Sequence, residues 1–300
     1  MKRSYIIAVA LGGLAAAASA QTKLNTAQID ELTGLKGKPN EQEGVYKVSS
    51  PRTDITIAVD GWSMPPFMGL TSWAAFKNGM HGGAMVMGDI VLLQDEVNPV
   101  MSAALDHGLE VTALHNHFFF DEPKVYFMHI GGEGDQEKLA RGVRAVLDRV
   151  KEVRGAKSKP GDTFGGSKIP SKSSISAAPL QEMLGSKGET NNGMFKATFG
   201  RAVKMHSGDE AGKEMGVNTW AAFAGTDGNA VVDGDFVVLE DELQATLKSL
   251  RKSGINVVAI HHHMIGEEPR MIFFHYWGRG PANDLAKAIK SALRTTKTQN

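Results

Sequence analysis

Apolar residues recur along this chain at two periods. Residues 44–48, 84–93, 193–197 and 230–239 are rich in β-branched and aromatic residues and read as strands, the two longer ones interrupted by Gly88-Asp89 and Gly234-Asp235. Asp95-Glu96 and Asp241-Glu242 open helices, acidic residues standing at the positive helix end. The helical period follows in Val97, Met101, Ala104 and Leu105, and in Leu243, Leu247 and Leu250, and Gly108 and Gly254 stop it. A further amphipathic helix is predicted through Leu139, Val143, Val146, Leu147 and Val150, and another through Leu285, Ile289 and Leu293.

These elements come in the same order twice. Residues 29–37 resemble 180–188, Gly44-Val45-Tyr46-Lys47-Val48 resembles Gly193-Met194-Phe195-Lys196-Ala197, and Arg52 falls at Arg201. Trp73-Ala74-Ala75-Phe76 returns as Trp220-Ala221-Ala222-Phe223, and residues 113–132 return as 259–278 at a constant offset of 146. The expectation is an α+β protein of two homologous repeats, each an antiparallel sheet with helices on one face, packed about a pseudo-two-fold axis. Repeat 1 spans residues 21–150 and repeat 2 residues 177–300. Residues 151–176, dense in Lys, Gly, Ser and Pro, form a flexible linker.

Composition narrows the function. Lys+Arg and Asp+Glu both number 33, so the net charge is +0, and basic residues are scattered; no nucleic-acid partner is expected. Residues 1–20 carry Lys2 and Arg3, an apolar run and Ala18-Ser19-Ala20, the pattern of a secretory signal peptide. The expected location is the periplasm, without membrane insertion after cleavage. With no cysteine, any metal site must be built from His, Asp and Glu.

The chemistry concentrates in the longest repeated block. His115, His117, Glu122, Pro123, Phe127 and His129 match His261, His263, Glu268, Pro269, Phe273 and His275, which accounts for six of the ten histidines. Read as a β-hairpin turning near Glu122, the block puts His115 and His117 on one face and His129 almost opposite His115. The second copy does the same with His261, His263 and His275. Three convergent imidazoles suit a divalent metal such as Zn, with one position left for water. Val111, Ala113, Phe119 and Phe127 share that face, which is therefore expected to be buried.

Two other readings stand beside metal binding: a metal-free pocket for a small molecule, and a metal-dependent hydrolase with Glu122 or Glu268 as base. Asp89 and Asp235 are candidates for a fourth ligand or for a partner that orients an imidazole, and Gly-Asp is equally ordinary bulge or turn chemistry. His262 and Asn116 point away from the site. His81, His107 and His206 are expected at the surface, and Trp73 and Trp220 in the core. No Walker loop, Gly-x-Ser-x-Gly or His-Glu-x-x-His motif occurs.

The Trp-Ala-Ala-Phe blocks and the phrase His-His-His-Met-Ile-Gly-Glu-Glu-Pro-Arg-Met-Ile-Phe-Phe-His-Tyr-Trp-Gly at residues 261–278 resemble the LppY/LpqO family, over nearly the whole chain beyond the signal peptide. The resemblance implies an exported bacterial protein built on a domain of unknown function, and no activity. Family members made as lipoproteins need a cysteine, which this chain lacks, so surface anchoring is not implied.

Overall fold

The structure is a computed structural model that describes residues 23–80 and 83–297. The expected signal peptide and His81 lie outside the described residues. Repeat 1 comprises α1 (Thr26–Thr33), β1 (Lys38–Asn40), β2 (Val45–Pro51), β3 (Ala58–Val59), β4 (Trp62–Ser63), β5 (Thr71–Asn78), β6 (Ala84–Leu93), α2 (Gln94–Asp106), β7 (Glu110–His115), β8 (Asp121–Glu122), β9 (Val125–Gly134) and α3 (Gln136–Ala156). Repeat 2 comprises α4 (Ala177–Leu184), β10 (Glu189–Asn191), β11 (Met194–Gly200), β12 (Val203–Met205), β13 (Glu210–Ala211), β14 (Asn218–Thr226), β15 (Asn229–Leu239), α5 (Glu240–Lys252), β16 (Asn256–His261), β17 (Glu267–Glu268), β18 (Met271–Gly280) and α6 (Ala282–Leu293). Helix α3 runs to Ala156, so the first six residues of the expected linker are helical.

The two repeats share one twelve-stranded sheet in the order β1-β2-β5-β6-β9-β7-β16-β18-β15-β14-β11-β10. Read inward from either edge, the same elements appear in the same sequence. The repeats meet where β7 pairs antiparallel with β16 at Leu114 and Ile260. That is the order a two-fold operation perpendicular to the sheet generates. Alternation decides which face is dry. Phe76, Val86, Ile90 and Met128 of repeat 1, and Phe223, Phe236, Phe274 and Tyr276 of repeat 2, join the apolar faces of the helices in one core spanning both repeats. The helices therefore lie against one face, and the opposite face stays largely open.

Two devices tie the repeats together. The ladders of β7 and β16 each carry a bulge, between Val111 and Ala113 and between Val257 and Ala259. A bulge leaves backbone groups unpaired, and here a side-chain amide from the other repeat satisfies them. Asn98 of α2 donates to Val257 O at 3.1 Å and accepts from Val257 N at 2.8 Å. Gln244 of α5 does the same with Val111, at 3.0 and 2.9 Å. The bulge also overturns one expectation: it rotates Val111 into the helix-side core, away from the histidine face.

The second acid of each helix start is buried. Glu96 accepts from Leu93 N at 2.8 Å and from Arg52 Nη1 at 2.7 Å, and it also contacts Arg154. Glu242 accepts from Leu239 N at 2.8 Å and from Arg201 Nη1 at 2.6 Å. The repeated Arg52/Arg201 thus closes a charge cluster at the helix N-terminus in each copy.

Candidate metal centre

Two smaller clusters pack at the open face: Ile57, Leu70, Val91, Leu93, Val125 and Phe127 in repeat 1, and Val203, Ala211, Val217, Val237, Met271 and Phe273 in repeat 2. Each lies beside a three-stranded sheet, β4-β3-β8 or β13-β12-β17. These small sheets change the expected hairpin. After β7 and β16 the chain leaves the main sheet, and β8 and β17 pair with β3 and β12 before the chain returns as β9 and β18. His117 and His263 consequently lie beyond the strand ends, in loops. Their rings are held by stacking: His117 on Phe127 at a centroid distance of 3.3 Å, and His263 on Phe273 at 3.7 Å. The loops return both rings to the open face.

The ladders also correct the register. His129 stands opposite Ala113, and His115 opposite Phe127, so His115 and His129 are diagonal neighbours on a shared face. On its other side His129 is paired with Asp89, as His275 is with Asp235. The Gly-Asp pairs are therefore not bulges; the ladder runs through them without a shift. Each glycine serves the helix side: a Cβ on Gly234 would meet Trp220 O and the Tyr276 hydroxyl, both at 2.2 Å. Its neighbouring aspartate projects to the histidine side.

In repeat 2 these placements bring three donors together. His261 Nε2 lies 3.1 Å from His263 Nε2, and His263 Nε2 lies 3.2 Å from Asp235 Oδ2. One donor atom from each of Asp235, His261 and His263 falls within 4.8 Å of the others. His263 Nδ1 also contacts Gly216 O at 3.3 Å, which fixes the ring from behind. His275 stacks on His261 at 4.8 Å, but its Nδ1 faces Gly234 O at 3.3 Å. It is a wall of the group and not one of its three members.

The group grades from a buried acid through a half-buried His261 to an exposed His263. Asp235 is 2% exposed and its Oδ1 has no hydrogen-bond partner. Burial pushes its carboxyl above the usual range, against the opposing pull of His275 and His263. Burial, followed by the neighbouring His275, His263 and His262, pushes the His261 imidazole down to about 4. His261 is thus a neutral lone-pair donor at ordinary pH.

Repeat 1 uses the same residues differently. His129 Nε2 meets His115 Nε2 at 3.1 Å, while His117 lies flat on Phe127, its centroid 5.1 Å from that of His115. Phe118 closes edge-on over His117 at 5.8 Å; the matching residue in repeat 2 is Met264. Asp89 makes no hydrogen bond with these rings, and its Oδ1 is buried without a partner. Burial, and then His115, lowers the His117 imidazole below its ordinary value, with Asp89 opposing.

The glutamates fall elsewhere. Glu122 and Glu268 are exposed, face Ala58 and Lys204 across the small sheets, and precede cis prolines. Among the described residues neither makes a side-chain hydrogen bond or ion pair with a histidine. The buried acids of these turns are Asp121 and Glu267, which accept from Val125 N at 2.7 Å and Met271 N at 3.1 Å. The face is less buried than expected: Phe119 is 79% exposed. Trp73 and Trp220 are half-buried there, outside the core, with Lys47 Nζ 4.0 Å and Lys196 Nζ 4.5 Å from their ring centroids. His107, His206 and His262 are exposed. No helix among the described residues is long and apolar enough to cross a membrane.

No curated protein and no solved structure matches this chain. One family profile matches it in two segments, residues 27–149 and 178–295, which correspond to the two halves of the sheet. On that double match the chain belongs to the family described as Domain of Unknown Function (DUF1259).

Proposed function

We propose that this protein binds a divalent transition metal at Asp235, His261 and His263. The observation that carries the reading is the donor spacing. In a tetrahedral site with bonds of about 2.0–2.1 Å, neighbouring ligands stand about 3.3 Å apart. The His261–His263 and His263–Asp235 contacts, at 3.1 and 3.2 Å, have that size. A cation would also neutralise the buried Asp235 carboxylate, whose Oδ1 has no partner. Two imidazoles and one carboxylate suit Zn, and a fourth position facing the open side would hold water, with the metal as Lewis acid. The His115, His117 and His129 cluster beside Asp89 is a second, weaker donor set.

The signal-peptide pattern of residues 1–20 and the LppY/LpqO resemblance support an exported, periplasmic protein. Exposed Glu122 and Glu268 give little support to a hydrolase built on either. The test is elemental analysis of untagged protein purified without chelator, beside a His261→Ala/His263→Ala variant. About one equivalent of metal that disappears in the variant is expected. Absence of metal in both, with no binding on titration, would overturn the proposal.

A further inference from the structure

A second chemistry sits where the repeats and the linker meet. Arg251, in the last turn of α5, donates from Nε to Ser102 Oγ at 3.2 Å, and from Nη1 to Ile255 O at 2.6 Å and Asn256 Oδ1 at 2.9 Å. All of these partners are neutral, and among the described residues Arg251 has no carboxylate in salt-bridge range and Nη2 has no hydrogen-bond partner. The nearby Asp95 is engaged through Oδ2 by Arg154 and by Gly161 N, while its Oδ1 has no hydrogen-bond partner among the described residues. Burial without a counter-charge pushes the Arg251 guanidinium down to about 10.

Comparison of the repeats shows that this cation is not inherited packing. At the offset that aligns the two copies, Arg251 falls on Leu105, a buried core residue. Where repeat 1 has an apolar core residue, repeat 2 has a half-buried arginine held by three neutral partners, an arrangement that a counter-charge would favour.

The guanidinium lines a cavity of about 290 Å³ with Asp95, Asn98 and linker residues including Phe164. A second cavity, of about 410 Å³, shares Gln94, Asn98 and Phe164 as walls and continues to Tyr126, Val258, Trp277 and His275. One end thus offers an uncompensated cation and the other an aromatic and aliphatic lining. The remaining charged lining residues, Lys157, Asp162 and Asp233, are exposed and free to stay in solvent.

We propose that this junction binds a small organic monocarboxylate, its anionic end on Arg251 and its apolar, preferably aromatic, body between Phe164, Tyr126, Val258 and Trp277. A guanidinium with one arm free favours a carboxylate over a neutral amide, and the flat walls favour an aromatic body. The site is separate from the three metal donors, although His275 is a wall common to both. Metal and carboxylate binding are therefore separable by experiment.

The test is calorimetric titration of the full chain, chelator-treated and zinc-treated, with acetate, octanoate and phenylacetate, and with phenylacetamide as the uncharged counterpart of the last. Saturable binding of phenylacetate with or without zinc is expected, with phenylacetamide and the Arg251→Leu variant at least tenfold weaker. Phe164→Ala, in the exposed linker, is expected to weaken binding several-fold with the fold intact. Absence of binding by all three acids, equal affinity for acid and amide, or unchanged affinity in Arg251→Leu would overturn the proposal. If Arg251→Leu fails to fold, the acid–amide comparison in the wild type decides.

Discussion

Asp235→Asn gives the metal reading two consequences of opposite sign. The Asp235 side chain is almost fully buried, contacts His263 Nε2 through Oδ2 and leaves Oδ1 unpaired. Asparagine keeps the shape and the contact to His263 while removing the buried charge. A buried, unsatisfied polar group costs about 1–3 kcal/mol, more when charged. Asparagine still leaves a polar atom at the unpaired position, so only the excess due to charge is removed and the metal-free variant should be more stable than the metal-free wild type by about 1 kcal/mol. At about 2–4 °C per kcal/mol for domains of somewhat smaller size, that is a rise of a few degrees in Tm. Zinc should reverse the order. A ligand at one hundred times its Kd stabilises by about 2.7 kcal/mol, and only the wild type has the carboxylate to earn it. The pH dependence has a defined sign: because burial raises the folded-state value of Asp235, its contribution is most favourable below the unfolded value of about 3.9 and is lost as pH rises through the folded one. The gap between metal-free variant and wild type should widen with rising pH. Calorimetry in chelator and in zinc checks both signs. A metal-free variant that melts below the wild type, or one that keeps the full zinc shift, would refute the reasoning.

Other perturbations test the frame around the site. Glu96→Gln removes the buried carboxylate between Arg52 and Arg154, which keep Asp54 and Asp95; a loss of about 1–3 kcal/mol, read as a lower urea midpoint, is expected, and no measurable loss would count against the cluster. In repeat 2 the Arg201 guanidinium holds the Glu242 carboxyl below its ordinary range against burial, so its stabilisation is present above the unfolded value of about 4.3 and is lost as pH falls through the lowered folded one. The difference in Tm between wild type and Glu242→Gln should shrink on acidification, and a constant difference would argue against the pairing. Gly234→Ala places a methyl 2.2 Å from Trp220 O and from the Tyr276 hydroxyl, which itself donates to Trp220 O at 2.9 Å; a loss of about 1–3 kcal/mol with reduced zinc affinity is expected, since Asp235 is its neighbour.

Much of the fold was legible because the chain states it twice. Period and caps located the strands and helices, and repetition showed which glycines, aspartates and arginines belonged to the frame. Pairing order was not legible. Alternation tells which face a residue occupies but not which strand lies beside it, and nothing in residues 110–115 or 256–261 announces that these two strands join the repeats. The bulges were hidden for a related reason: Asn98 and Gln244, which satisfy them, lie far away in sequence on the other repeat's helix. The matched histidines stood out in the sequence. The excursions of β8 and β17 were not visible there, and these take His117 and His263 off the strands and let them return by stacking on Phe127 and Phe273. Asp235 was legible as a fourth ligand or as a partner behind the imidazoles, and only the register of β15 on β18 shows that it stands among them.

The places where the two copies differ are the most informative. The frame residues repeat with little change: Arg52 and Arg201, Glu96 and Glu242, Gly88 and Gly234 serve the same ends in each half. The chemistry does not. His117 is capped by Phe118 and stacked away from Asp89, while Met264 leaves His263 to meet Asp235. Leu105 is core, while Arg251 is a cation without a counter-charge. The two halves carry the same aspartate, and packing alone gives no reason for only one of them to bring an imidazole against it and to hold an arginine without a counter-charge. Both features lie in repeat 2. Such differences on one side of a symmetric frame are the pattern expected when one copy keeps the scaffold and the other carries the ligands.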